Sequence, residues 1–147
     1  VKKATFDASV LAAALRGGTV GVPILLLKSY KDLKLSEQDA MLLIQLMAFV
    51  EKERKEFPTI DELQERMACS PEAVIASLQK LLKLELLAID ETTDEPTGIL
   101  SERYNFDPLY VKLAELLAKE LQAAAAAQPI SAAERENDLF TVFENEF

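Results

Sequence analysis

The sequence predicts a mostly α-helical fold with one small β-hairpin, a winged helix-turn-helix carrying an N-terminal helix-strand-helix extension and an extra C-terminal helix. Three observations lead there. Ser36, Thr59 and Ser70 are capping residues, and each opens a stretch with apolar side chains at helical spacing. The two shorter stretches are separated by about three residues, the spacing of a helix-turn-helix. Past Glu85 the period changes, and two apolar runs flank a polar loop rich in turn formers.

The elements follow in order. Asp7 is a cap for a short helix in which Phe6, Val10, Leu11, Ala14 and Leu15 recur at helical spacing until Gly17 and Gly18 stop it. Residues 19–22 are β-branched enough for a short strand, and Pro23 then stands at the entry of a second helix running from Ile24 to Tyr30. Two helices and one strand cannot hide the run Ile24, Leu25, Leu26 and Leu27 among themselves. They pack on the body, on another chain, or on both.

Ser36, with Asp39 three positions on, opens a longer helix through Met41, Leu42, Ile44, Leu46, Phe49 and Val50 to the charged run 51–55. Phe57 and Pro58 break it. Thr59 caps a helix with Asp61 and Glu62 in its first turn and Ile60, Leu63 and Met67 at core spacing. Ser70 caps the next, with Pro71 at its first position, followed by Val74, Ile75, Leu78, Leu81 and Leu82. Residues 86–89 read as a strand, 90–98 as a loop, and 99–106 as the returning strand. Asp107 and Pro108 then open a last helix carrying Leu109, Leu113, Leu116, Leu117 and Leu121.

The alanine run 123–127 before Gln128 and Pro129 reads as a fraying helix end that becomes a linker. Beyond it, Leu139, Phe140, Val142, Phe143 and Phe147 form an acidic amphipathic stretch too short to be stable alone. The expected organisation is an arm at 1–35, a body with its C-terminal helix at 36–122, a linker at 123–138, and the start of a further unit at 139–147.

Composition excludes several functions. The 147 residues carry 16 Lys and Arg against 25 Asp and Glu, and the charge of −9 contains no histidine contribution because there is none. Without histidine there is no Ser-His-Asp triad, no imidazole base and no Cys/His zinc site. The carboxylates show no spacing that marks a shared acid-base site, so an enzyme is not expected, nor is a cofactor. Cys69 alone makes no internal disulfide and fits a reducing compartment. No stretch approaches the roughly 20 apolar residues of a membrane span, and the opening residues have no signal-peptide core before Asp7. A soluble cytoplasmic protein is expected.

The charge is uneven. Residues 1–35 carry six basic and two acidic groups, 36–106 carry seven against fifteen, and 107–147 three against eight. A duplex-reading winged helix sets Arg, Lys, Asn or Gln of its second helix against base edges, with the wing on the backbone. Here that helix offers Gln79, Lys80 and Lys83 but no arginine, and Glu72 stands at its start. The wing carries Asp90, Glu91, Asp94 and Glu95, which phosphates repel within a Debye length of about 8 Å. A protein-binding scaffold is the better reading; a DNA-binding transcriptional regulator is the alternative.

Four segments carry a resemblance: residues 22–33 (VPILLLKSYKDL), 57–63 (FPTIDEL), 98–104 (GILSERY) and 139–147 (LFTVFENEF). Together, in order and in register, they resemble the DnaD family of bacterial replication-initiation proteins. The resemblance implies a primosomal protein acting between the initiator DnaA and helicase loading, in which a winged helix with a helix-strand-helix arm oligomerises. It also implies a separate C-terminal DNA-binding domain, whose opening helix the stretch 139–147 resembles. The arm is several residues longer at its start than the family pattern, and the linker is richer in alanine.

An arm that cannot bury Val20, Val22, Ile24 and Leu25 by itself is expected to associate with a second copy, through the 19–22 strands or the helices; the alternative is packing on its own body. For other partners the candidates are Leu11 on the arm, Ile89 on an acid-flanked hairpin face and Glu102 on the returning strand. Plain core burial for Ile89 and a solvated charge for Glu102 are the alternatives. An acidic, partly apolar patch suits a partner with basic rims.

Overall fold

Each of the three cap signals forms. In the computed structural model, which describes residues 7–127, the Ser36 hydroxyl accepts from the Asp39 amide at 3.1 Å while the Asp39 carboxylate accepts from the Ser36 amide at 2.9 Å. That reciprocal box opens α3 (Glu37–Glu51). Thr59 and Glu62 make the same box at the start of α4 (Ile60–Glu65), and Ser70 caps α5 (Pro71–Lys83) with proline at its first position. Upstream lie α1 (Ala8–Gly17), capped by Asp7, and α2 (Ile24–Ser29), entered from Pro23. Downstream come β1 (Ala88–Thr93), β2 (Leu100–Asn105) and α6 (Asp107–Ala127). Phe6 and residues 128–147, including the 139–147 stripe, lie outside the described residues.

The fold is mostly helical with a two-stranded antiparallel hairpin. Leu42, Leu43, Leu46 and Met47 of α3 meet Leu63 of α4 and Val74, Leu78 and Leu81 of α5, with Leu25 and Leu26 of α2 and Leu109 and Leu113 of α6 completing one core. Full burial of each such leucine contributes roughly 1.5–3 kcal/mol. A polar clamp ties α3 to α5 inside this packing. Asp39, 4% exposed, accepts from the Ser77 hydroxyl at 2.7 Å and from Lys80 Nζ at 2.6 Å, and Gln38 donates to Ser77 at 3.0 Å. Burial works to raise the Asp39 pKa, but the bonds from Lys80, Ser36 and Ser77 outweigh it and hold the group at about 2.

The exit from α5 sets the direction of the hairpin. Glu85 sits in the left-handed region at φ 57°, its amide donating to Leu82 O at 3.2 Å and the Leu86 amide to Leu81 O at 3.0 Å. This is a Schellman stop built without the usual glycine. It turns Leu86 and Leu87 into the core before the strand begins.

Two expectations change. No strand forms at 19–22; among the described residues the sheet is β1 with β2, and a strand exists only where a neighbouring edge supplies its ladder. The hairpin begins two residues later than expected and runs through the polar residues 90–93, because its ladder is held by cross-strand pairing and not by burial. The alanine run 123–127, read from sequence as a helix end, is helical as the continuation of α6, as befits the residue with the highest helix propensity.

Candidate protein-interaction faces

The hairpin register divides its side chains into two unlike faces. Ala88 pairs with Asn105, Asp90 with Arg103 and Thr92 with Ser101 on one face; Ile89 pairs with Tyr104, Glu91 with Glu102 and Thr93 with Leu100 on the other. The first face satisfies itself. Asn105 Nδ2 donates to Asp90 Oδ2 at 2.9 Å, Arg103 Nε lies 3.7 Å from the same oxygen, and the Thr92 and Ser101 hydroxyls are 2.7 Å apart. Asn105 Oδ1 also accepts from the Asp107 amide at 2.8 Å, so the base of the hairpin caps α6.

The second face does the opposite. Ile89 is 37% exposed, and Glu102 is its diagonal neighbour, directly opposite Glu91; neither glutamate has an ion pair among the described residues. Phe57 stacks on Tyr104 with ring centroids 4.6 Å apart and planes at 20°, and remains 38% exposed. The Tyr104 amide donates to Glu56 O at 3.0 Å, which fastens the Phe57 segment to the outer edge of β2. Tyr104 itself is buried; that burial, and then the negative charge of Glu102, raises its hydroxyl pKa. Apolar surface at Ile89 and Phe57 therefore borders two uncompensated carboxylates. The sequence singles out Ile89 and Glu102; the register sets beside them Glu91, assigned from sequence to a loop, and Phe57, read as a helix breaker. The cross-strand register that joins them is a pairing property that one strand's sequence does not display.

The arm splits. α1 has no buried residue, and Leu11 is 44% exposed with Val10 and Leu15 beside it on the same helix. Val20 and Val22 are partly buried against the core. Leu25 is only 8% exposed and belongs to the core outright, which corrects its assignment to an oligomerisation surface: the face of α2 that carries Leu25 and Leu26 is turned onto the chain's own body. Ile24 remains 43% exposed, and Leu27, not singled out from sequence, lies exposed one turn further on.

The outer side of α5 has little to offer a duplex. Lys80 is committed to Asp39, leaving Lys83 and Gln79 beside Glu72. Among the described residues no group of three or more Cys, Asp or Glu side chains could hold a metal ion, and no helix is long and apolar enough to cross a membrane.

Residues 22–124 match the family model of the DnaD N-terminal domain, and the chain belongs to that family. It is 36% identical over 130 residues to the replicative helicase loading/DNA remodeling protein DnaD of Bacillus subtilis (strain 168), an alignment covering 88% of this chain and 54% of that protein. The chain thus spans about half the length of that curated relative. Its structure is similar to the crystal structure of the N-terminal domain of DnaD protein from Geobacillus kaustophilus HTA426, with a TM-score of 0.64, 30% identity, and coverage of 82% of this chain and 99% of that one.

Proposed function

We propose that the chain is a non-enzymatic scaffold of bacterial DNA replication initiation and restart, contributing self-association and protein contacts to primosome assembly and helicase loading. The observation that carries this reading is its similarity to a relative described as a replicative helicase loading protein. The geometry supports a division of labour. The run from α3 to β2 is a winged helix-turn-helix body used for protein contacts, with α6 packed on it. The arm at 1–35 associates with a second copy through Val20, Val22 and Ile24, now joined by Leu27, and the 19–22 segments gain a strand partner only in that assembly. Leu11 and the Ile89–Glu102 face contact other proteins, among them the initiator DnaA and helicase-loading proteins with basic rims.

In this reading the linker follows α6, and DNA is met mainly by sequence beyond this chain, with 139–147 as the opening of that unit. The scaffold works in the cytoplasm at the nucleoid. A transcriptional regulator is less well supported, because Lys80 is tied to Asp39 and the hairpin presents carboxylates to any phosphate. Light scattering on the 147-residue chain, together with a duplex-binding titration at low salt, tests the reading. An oligomer with negligible duplex affinity is expected. A monomer that binds duplex tightly overturns it.

A further inference from the structure

Phe57 reaches the hairpin through the short connection between α3 and α4, and the backbone of that connection is strained. Arg54 takes the left-handed conformation at φ 57°. A residue with a side chain stays there only where its surroundings over-determine it, and such residues gather at binding clamps. Two ion pairs flank the strained residue. Arg66, which closes α4, directs both terminal nitrogens of its guanidinium to the two carboxylate oxygens of Glu53, and Lys55 pairs with Glu62. The Lys55 amide also donates to Phe49 O at 2.9 Å.

The two pairs are not equal. Lys55 and Glu62 form a single-point contact open to solvent, the kind that contributes little. The Arg66 guanidinium carbon lies 3.8 Å from the centroid of the Phe49 ring, a buried side chain of α3. A guanidinium that stacks and forks at once loses less freedom for each bond it makes, so Arg66 is the firmer tie. Two residues past the ties the chain meets the hairpin. Glu56 O accepts from the Tyr104 amide at 3.0 Å, Phe57 stacks on Tyr104, and the Pro58 side chain is fully buried. A contact residue already held in place spares a partner the entropy of ordering it.

We propose that Arg66 is a positioning residue for partner docking: through Glu53 it holds the 52–58 connection so that Phe57 stays stacked on Tyr104, ready for contact. The proposal rests on the reading of the Phe57, Ile89 and Glu102 surface as a docking face, and adds the residue that presets it. The test is a double-mutant cycle in the 147-residue chain, with binding to the initiator DnaA followed by calorimetry and the aromatic rings by NMR. Arg66→Gln is expected to weaken binding about threefold, to move the Phe57 and Tyr104 ring signals toward unstacked values, and to change Tm by no more than about 2 °C. Arg66→Lys keeps the charge without the fork and recovers only part of the loss. In a Phe57→Ala background Arg66→Gln costs nothing further, because its effect passes through that ring. Glu53→Gln, at an exposed position, gives the same pattern from the other half of the pair and replaces the Arg66 variant if that one unfolds. An equal loss with and without Phe57, or unmoved ring signals, overturns the positioning role and leaves the docking face standing. Wild-type binding by Phe57→Ala alone overturns the docking face and the proposal together.

Discussion

Glu91 and Glu102 stand directly opposite one another across the hairpin, and neither has an ion pair among the described residues. Like charges in that position destabilise a sheet, whereas opposite charges add about 0.2–1 kcal/mol. Glu102→Lys is therefore expected to raise stability by about 0.5 kcal/mol, read as a Tm higher by roughly 1–2 °C, while weakening partner binding at least about tenfold. Thermal melts beside a binding assay with helicase-loading proteins check both. A fall in stability together with unchanged binding sinks the idea that this acidic pair is kept for contact.

The self-association proposed for the arm is separable from folding. Ile24→Asp and Leu27→Asp place charges on exposed positions of α2 and are expected to lower the mass found by light scattering with the helical content intact. Leu25→Asp, one position along, places a charge in the core and costs about 3 kcal/mol or more. If all three variants lose mass only by unfolding, the arm is not the self-association surface.

Acid stability is expected to depend on Asp39. Its folded pKa of about 2 lies below the ordinary aspartate value of 3.8, so its stabilisation is complete above that value and is lost as pH falls through about 2. The difference corresponds to about 2 kcal/mol. Urea titrations at pH 6 and at a series of lower pH values are expected to show Asp39→Asn less stable than wild type by that amount at the higher pH, with the gap closing between about pH 4 and 2. A constant gap across the series contradicts the assignment.

Glu85 holds a left-handed conformation that costs a non-glycine residue roughly 1 kcal/mol. Glu85→Gly is expected to gain about 0.5 kcal/mol after the entropy of glycine is counted. Chemical denaturation measures it, and a loss of stability shows that the Glu85 side chain contributes something its backbone does not reveal.

The helices of the body were legible because their signals are local: Ser36 with Asp39, Thr59 with Glu62 and Ser70 with Pro71 each write a helix start within four residues. Segments whose structure depends on distant partners were not. Residues 19–22 have strand-like composition but no neighbouring edge, and Asp90 to Thr93 have polar composition but a full partner in β2. Leu25 and Ile24 are adjacent aliphatics with opposite fates, and only the placement of α2 on the core distinguishes them. For the same reason Ile89 and Glu102 could be picked individually, while Glu91 and Phe57 emerged with the register and the Tyr104 stack.

With no buried residue, α1 is a ten-residue helix that the core does little to hold, and helices of that length are marginal on their own in water. Its backbone amides therefore record occupancy. In dilute solution they should exchange with deuterium almost as fast as an unstructured chain, and slow down as whatever covers Leu11 and Leu15 arrives. On the proposed assembly, α1 would serve as a built-in reporter whose protection measures association in the intact protein, without a label.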